Sequence, residues 1–131
     1  MEVPHEEVDE AETMLVTGEL LLPADAPDAQ AARVLVEVRE IGPADAPSTV
    51  AGTLLIEDVA VGPGGRVHFA VEVPDVDARR HYGLRAHVDL DGDGRVGGGD
   101  LLSTVAQPVL TFGAPDHANL PLTLVAGGPN R

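Results

Sequence analysis

The sequence contains no cysteine and no tryptophan, and its 131 residues include only two phenylalanines and one tyrosine. Without cysteine there is no disulfide, no thiolate metal site and no thiol for a lipid anchor. So few aromatic side chains disfavour a surface that stacks sugars or nucleic-acid bases, and they disfavour an aromatic-lined cleft for glycoside hydrolysis. Because the chain is nevertheless 44% hydrophobic, its core must be built from aliphatic side chains.

Long apolar runs are also missing. No run approaches the length of a membrane helix, and no positively charged start leads into an apolar signal segment. We therefore expect no membrane span, and the sequence as written predicts a cytoplasmic protein. A chain from which an export signal had been removed would instead belong to the cell envelope or the extracellular space.

Positive charge is scarce as well. Eight Lys and Arg residues face 22 Asp and Glu residues, which gives a formal net charge of −14. Such a surface repels nucleic acid and anionic membranes, and it leaves metal ions and an unidentified protein as the expected partners.

The length and the distribution of charge predict one folded domain with an acidic arm. Residues 1–12 contain six acidic side chains and no Lys or Arg, which is typical of a disordered segment. A partner-binding tail is the alternative for this arm. We assign residues 13–126 to the folded domain and residues 127–131 to a C-terminal tail.

Apolar and polar residues alternate with a period of two through most of the domain, which is typical of half-buried strands. In the third of these segments, Val50, Leu54 and Ile56 are predicted to face the core. Eleven prolines and fifteen glycines separate the segments and argue against helices. We therefore predict an all-β fold with almost no helix: a single antiparallel β-sandwich of about seven strands, of immunoglobulin or prealbumin type. The predicted strands are Thr13–Leu22, Ala32–Arg39, Val50–Asp58, Arg66–Val73, Tyr82–Leu90, Thr104–Thr111 and Asn119–Val125.

The interval from Asp89 to Asp100 is the one place where residues with metal-binding chemistry are concentrated. Asp89, Asp91 and Asp93 occupy the first, third and fifth positions of a twelve-residue interval that Asp100 closes. This spacing is that of a calcium loop, in which alternate carboxylates of a tight turn converge on a hard cation. Carboxylate and carbonyl oxygens favour calcium, or the similar ion magnesium, over zinc or copper.

The remaining positions of this interval fit the same pattern. Gly94 at the sixth position permits the sharp bend, Arg95 would offer its backbone carbonyl, and Gly97 would contribute a water-mediated contact. The closing residue is usually Glu, and the shorter Asp100 would have to bring its backbone closer to the ion, as in the loops of dockerin modules. The alternative is a solvated Asp-Gly hairpin turn without a cation. However, four carboxylates within twelve positions repel one another unless a cation binds.

Several short segments, in the same order and spacing, resemble the YbaY-like lipoproteins, which are grouped with the pilot lipoproteins of type III secretion. The resemblance runs from about Val16 to Thr111. It rests on Val16-Thr17-Gly18-Glu19, Asp45-Ala46-Pro47, the Pro-Gly-Gly turn before Phe69, Asp77–Ala86 and Ala106–Thr111. It implies a β-sandwich that is normally tethered at an envelope membrane and acts as a binding or chaperone-like module without established catalysis. This chain lacks the lipid-bearing cysteine of that family, and the family's short Asp-Gly turn is extended here.

Candidates for catalysis are few. Ser48 and Ser103 lie outside any nucleophile elbow and are typical turn or cap residues. His68 and His87 occupy outward positions of consecutive predicted strands, so they could stand side by side as a metal pair or act with Glu72 as a general base. Exposed histidines on strands are commonplace, and we predict that the protein is not an enzyme.

Two non-enzymatic functions are consistent with these patterns, and a hydrolase or metal-dependent enzyme that uses His68, His87 or the Asp cluster is a third possibility. The first is a non-enzymatic binding or scaffold module whose loop at Asp89–Asp100 binds calcium. The alternative is an envelope-associated, lipoprotein-like accessory protein for assembly or secretion, in which metal binding has no functional role.

Overall fold

The computed structural model describes residues 12–42, 48–77, 79–104, 107–110 and 116–125. Within these ranges the chain forms nine β-strands and no helix. The strands are β1 (Glu12–Leu21), β2 (Ala29–Ile41), β3 (Thr49–Val61), β4 (Arg66–Val76), β5 (His81–Asp89), β6 (Leu101–Leu102), β7 (Gln107–Val109), β8 (Leu120–Pro121) and β9 (Thr123–Leu124). The predicted acidic arm lies outside the described residues except for Glu12, which begins β1, and the predicted tail at 127–131 lies wholly outside them.

The strands form two sheets. The smaller sheet has the order β4-β1-β8, and the larger has the order β3-β2-β5-β6-β9, with β7 paired to β5. All of the pairings are antiparallel except that of β1 with β8, which is parallel. The inner faces of the two sheets contribute to one buried apolar cluster. The predicted all-β sandwich is therefore confirmed.

Alternation along the long strands builds this core. In β4, the side chains of Val67, Phe69, Val71 and Val73 are buried while the residues between them are exposed. Burying an aliphatic side chain of this size contributes about 1.5–3 kcal/mol, so a core without tryptophan can hold the sheets together. The corresponding prediction for β5 is also confirmed, because Tyr82, Leu84, Ala86 and Val88 are all buried.

One inward prediction is wrong. Val50 was expected to face the core with Leu54 and Ile56, but its side chain is 48% exposed. The pairing of β2 with β3 contains an irregularity that places Val38 opposite Gly52 and Arg39 opposite Val50. Because a shift of one residue reverses the direction of every side chain beyond it, Val50 points outward.

The C-terminal part of the sandwich is divided more finely than the alternation predicts. The predicted strand Asn119–Val125 is divided between the two sheets, because Leu120–Pro121 pairs with β1 and Thr123–Leu124 pairs with β6. Within the predicted strand Thr104–Thr111, of which the structure describes residues 104 and 107–110, Gln107–Val109 forms a strand, and Leu101–Leu102 forms an additional strand beside β5. This additional strand brings the two ends of the Asp-rich interval together.

Candidate functional site

The Asp-rich interval connects two neighbouring strands of the larger sheet. Asp89 is the last residue of β5, and Asp100 immediately precedes β6. Because β5 and β6 pair in antiparallel register, the first and twelfth residues of the loop are brought to the same edge of the sandwich. Both carboxylates are only 3% exposed, whereas Asp91 and Asp93 are exposed to solvent. The loop therefore combines buried carboxylates at its base with exposed carboxylates at its tip.

Backbone N–H groups of the loop turn inward onto the carboxylate of Asp89. The N–H of Gly92 donates to Oδ1 of Asp89 at 3.0 Å, and the N–H of Gly94 donates to Oδ2 at 2.9 Å. The loop takes this geometry with φ values of +74° at Gly92 and +80° at Gly94. Residues that have a Cβ atom rarely adopt such values. Gly94 thus lies at a bend of the loop, and its predicted role in wrapping the chain around a cation stays a prediction.

Asp100 closes the loop from the opposite end. Its Oδ1 accepts a hydrogen bond from the N–H of Leu90 at 3.0 Å, and its Oδ2 accepts one from the N–H of Gly97 at 3.0 Å. Its Oδ2 also lies 2.9 Å from Nε2 of His87. Both oxygens of this buried carboxylate therefore have hydrogen-bond partners.

His87 was not predicted to belong to this site. The signal was available, because His87 and Asp89 lie two residues apart on β5 and so point to the same side of the sheet. What the alternation does not reveal is that Asp100 lies opposite them, because this contact depends on the pairing of β5 with β6.

The structure brings together three of the predicted ligands. One ligand atom each of Asp89, Asp91 and Asp93 lies within 4.8 Å of the others, and the same holds for His87, Asp89 and Asp100. Asp89 belongs to both groups, whereas Asp100 is not grouped with Asp91 or Asp93. These are hard oxygen donors with one imidazole beside them, a set that suits a divalent cation such as calcium or magnesium.

The predicted contribution of Arg95 is its backbone carbonyl. The structure places the N–H of Arg95 2.8 Å from Oδ1 of Asp93, to which it donates a hydrogen bond. In the same way, the N–H of Asp93 donates to Oδ1 of Asp91 at 3.3 Å. The backbone of the loop therefore orients the exposed carboxylates.

The carboxylates of the loop differ in their proton affinities. Burial of Asp89 raises its pKa, but hydrogen bonds from the N–H groups of Gly94 and Gly92 lower it, and the net pKa lies below the ordinary value. The N–H of Asp93 lowers the pKa of Asp91, whereas partial desolvation and the carboxylates of Asp89 and Asp93 raise it. The net pKa of Asp91 lies above its ordinary value. At neutral pH the charge on Asp91 is thus opposed by its neighbours, as expected where negative charges crowd together.

The loop is also attached to β2, the strand on the other side of β5. The guanidinium Nη2 of Arg33 donates to the carbonyl of Gly92 at 2.6 Å, and the N–H of Ala32 donates to the carbonyl of Leu90 at 3.1 Å. These bonds hold the first half of the loop over the larger sheet.

A groove lies beside the loop on the outer face of the larger sheet. It has a volume of about 250 Å³, and its lining includes Glu37, Arg85, His87, Val96 and Leu102. Val96 belongs to the Asp-rich loop, and His87 bonds to the residue that closes it. The loop therefore forms part of the lining of the groove, through the side chain of Val96.

The structure separates His68 from His87, which the sequence left open as a metal pair. His68 lies on β4 in the smaller sheet, where its Nε2 is 3.1 Å from Oε2 of Glu19. His87 lies on β5 in the larger sheet. Because each side chain points outward from its own sheet, the two imidazoles lie on opposite faces of the sandwich and cannot bind one ion.

The two serines are engaged structurally. The Ser103 hydroxyl is buried, accepts a hydrogen bond from the N–H of Ala86 at 2.9 Å and donates to the carbonyl of Ala86 at 3.3 Å. The Ser48 hydroxyl accepts a hydrogen bond from Nε of Arg39 at 2.8 Å. These contacts reach residues distant in the chain, so they differ from the local hydrogen bonds of the predicted turn or cap roles.

No protein-family model matches the sequence, and no curated protein is similar to it in sequence. Among solved structures, the fold is similar to that of an alternative pilotin from the type II secretion system of Vibrio cholerae. The TM-score is 0.70 and the sequence identity is 19%, over 88% of this chain and 100% of the pilotin chain. At this identity the similarity establishes the fold. The resemblance to pilot lipoproteins therefore holds at the level of a pilotin-like fold, without singling out the YbaY-like lipoproteins or a dockerin-like calcium loop.

In the part of the chain that the structure describes, no helix has the length and the apolar character needed to cross a membrane.

Proposed function

We propose that the protein is a non-enzymatic accessory module that binds a protein partner during secretion or envelope assembly. The observation that carries this proposal is the fold similarity to the Vibrio cholerae pilotin, which extends over the whole of that chain. This function is the alternative predicted from the sequence, and the similarity favours it over the calcium-binding scaffold as the principal role.

The chemistry of the described residues agrees with a binding role. The buried hydroxyl of Ser103 is held by the backbone of Ala86, and the outward histidines of β4 and β5 are separated by the thickness of the sandwich. The groove on the larger sheet is lined by aliphatic and charged side chains, a mixture that is common at protein interfaces.

The test is deletion of the gene in the source organism, followed by complementation. We expect the deletion strain to secrete less protein into the medium, or to assemble fewer multimeric envelope complexes, with both defects restored by the wild-type gene. Secreted proteins are quantified by mass spectrometry, and complexes are quantified on native gels. Unchanged secretion together with unchanged assembly contradicts the proposal.

As a second function, we propose that the loop from Asp89 to Asp100 binds calcium and thereby braces the connection between β5 and β6. The supporting observation is the grouping of the carboxylates of Asp89, Asp91 and Asp93 within 4.8 Å. A divalent cation there would relieve the repulsion that raises the pKa of Asp91. Calcium tolerates irregular oxygen coordination better than magnesium does, so it fits a loop closed by a short Asp side chain.

Thermal melts with calcium, with magnesium and with a chelator test this proposal. A cation that binds only the folded state at about 100 times its Kd stabilises the fold by about 2.7 kcal/mol. We expect this gain in calcium, a smaller gain in magnesium and none in chelator. No shift in the melting temperature with either cation contradicts the proposal.

Two variants sharpen the test. Asp91→Asn removes a ligand whose charge is opposed by its neighbours, so we expect unchanged or slightly higher stability in chelator and a reduced gain in calcium. Asp25→Asn, at an exposed turn outside the loop, is the matched control and should retain the full calcium gain. Equal calcium gains in the two variants argue against the loop as the binding site.

A further inference from the structure

The outer face of the larger sheet carries a row of side chains that is unusually apolar for a solvent-facing surface. The register places Leu55 opposite Leu35, Leu35 opposite His87, and His87 opposite Leu102. Leu55 is 49% exposed, and the neighbouring loop residue Val96 is 52% exposed. The solvent face of an antiparallel sheet is ordinarily polar, so aliphatic residues aligned across three strands make this row a candidate docking surface.

Arg85 stands beside this row, where two grooves meet. The first groove, of about 250 Å³, runs from Arg85 toward Val96 and Leu102. The second, of about 210 Å³, runs from Arg85 toward Ile41 and Gly83. Gly83 contributes no side chain to the outer face, so the surface dips beside Arg85. The two grooves share Arg85 as a lining residue, and we call the pair of them the β5 channel.

The guanidinium of Arg85, at the centre of the β5 channel, forms no ion pair within the described part of the chain. Glu37 lies opposite Arg85 in the register, but its Oε1 accepts a hydrogen bond from Nη1 of Arg39 at 2.8 Å. Arg39 is held further by the hydroxyl of Ser48 at 2.8 Å. Among the described residues, none forms a hydrogen bond or ion pair with the guanidinium of Arg85. An exposed guanidinium bordered by aliphatic side chains is suited to a carboxylate, which it can bind through two parallel hydrogen bonds.

We propose that the β5 channel binds a segment of a partner protein in which acidic and aliphatic side chains are interspersed. A carboxylate of the segment pairs with Arg85, and its aliphatic side chains cover Leu35, Val96 and Leu102. This inference rests on the proposed function as a partner-binding module and names the surface and the chemistry of the partner. Because this chain has a net charge of −14, the partner's surface outside that segment must carry few negative charges.

A labelled synthetic peptide with a single glutamate among leucine and serine residues tests the charge and apolar contacts together. We expect this peptide to bind the full chain and to perturb the NMR signals of β2, β5 and the Asp-rich loop. The same peptide with glutamine in place of glutamate should bind about tenfold more weakly, because the charge-assisted bond to Arg85 is lost. Absence of binding by the glutamate peptide, or equal binding by both peptides, overturns the proposal.

Variants locate the contact. Arg85→Gln should weaken binding of the glutamate peptide about tenfold, and Arg85→Lys should fall between, because an ammonium keeps the charge and loses the two-pronged geometry. Val96→Ser should weaken binding of both peptides alike. Arg66→Gln is the matched control, because Arg66 is an exposed arginine on the outer face of the smaller sheet, and it should bind as the wild type does. Equal losses in Arg66→Gln and Arg85→Gln would show a general charge effect and overturn the assignment to the β5 channel.

Two further outcomes separate this inference from the proposed function. If the deletion strain loses secretion or assembly while a chromosomal Arg85→Gln strain keeps both, the accessory function stands and the β5 channel is not its docking surface. If the wild-type chain forms a concentration-dependent dimer in sedimentation that Arg85→Gln abolishes, the face pairs two copies of this chain and the proposal is overturned.

Discussion

Nε2 of His87 lies 2.9 Å from Oδ2 of Asp100, and the two side chains are 14% and 4% exposed. One partner lines the groove on the outer face of the larger sheet, and the other closes the Asp-rich loop. This contact joins the two surface features to which the proposals refer, and it depends on the antiparallel pairing of β5 with β6.

Removal of the imidazole tests the importance of this contact. We expect His87→Ala to lower the free energy of unfolding by about 0.5–1.5 kcal/mol, because one partly buried hydrogen bond is lost while Asp100 keeps those from Leu90 and Gly97. Urea denaturation at neutral pH in a chelating buffer measures this loss in the free energy of unfolding. His68→Ala is the control, since His68 is 83% exposed and should cost less than about 0.5 kcal/mol. Equal losses in the two variants would show that the contact between His87 and Asp100 does not stabilise the fold.

The buried and the exposed carboxylates of the loop should behave differently. Asp89→Asn leaves one backbone N–H facing an amide NH₂ in a site that is 3% exposed, and we expect a loss of about 1–3 kcal/mol in chelator. Asp93→Asn, at an exposed position, should change stability by less than about 0.5 kcal/mol. Chemical denaturation of both variants provides the comparison, and a larger loss for Asp93→Asn would contradict the arrangement of the loop.

Asp77 provides a prediction about pH. Hydrogen bonds from the side chain and the N–H of Arg79, and the charges of Arg79 and Arg80, lower its pKa from 3.8 to about 2. Because the folded pKa is below the unfolded pKa, ionised Asp77 stabilises the fold above the unfolded value, and this contribution disappears as pH falls through the folded value.

The stability difference between wild type and Asp77→Asn should therefore be constant at neutral and mildly acidic pH. It should shrink as the pH falls from about 4 to about 2. The NMR titration of the Asp77 carboxyl carbon measures the pKa directly, and Arg79→Ala should return it toward 3.8. A midpoint near 3.8 in the wild type would show that Arg79 does not hold this carboxylate in solution.

Glycine is required at position 18 because β1 packs closely against the backbone at Ala118. A Cβ at Gly18 would lie 1.7 Å from the carbonyl oxygen of Ala118 and 2.9 Å from Cζ of Phe69. That carbonyl cannot move freely, because the N–H of Ala118 donates to the carbonyl of Thr17 at 3.0 Å. We expect Gly18→Ala to cost about 3 kcal/mol or more.

Gly97→Ala is the control for this packing effect. A Cβ at Gly97 would meet no atom within 4 Å. The stability of the Gly97→Ala variant should therefore remain within about 0.5 kcal/mol of wild type. Guanidinium denaturation of both variants tests the contrast. Comparable stability of the two alanine variants would mean that β1 and Ala118 do not approach as closely in solution.

Alternation of apolar and polar residues predicted the inner faces of β4 and β5, because side chains of a strand point alternately to its two sides whatever the partner strand is. The same rule failed at Val50, where a local irregularity in the pairing with β2 reverses the alternation. Periodicity also could not assign strands to sheets. His68 and His87 both occupy outward-facing positions of the alternation, yet they lie on opposite faces of the sandwich because consecutive strands need not pair.

The sequence by itself determined the aliphatic core, the strand periodicity and the concentration of carboxylates between Asp89 and Asp100, since these follow from residue types and local spacing. Only the tertiary structure decided that His87 contacts Asp100 and that Leu120–Pro121 joins the smaller sheet in parallel. It also decided that the guanidinium of Arg85 has no ion-pair partner among the described residues. The physical reason is that strand pairing joins residues far apart in the chain. The choice among such pairings is made by the packing of the whole core, which no short window of sequence contains.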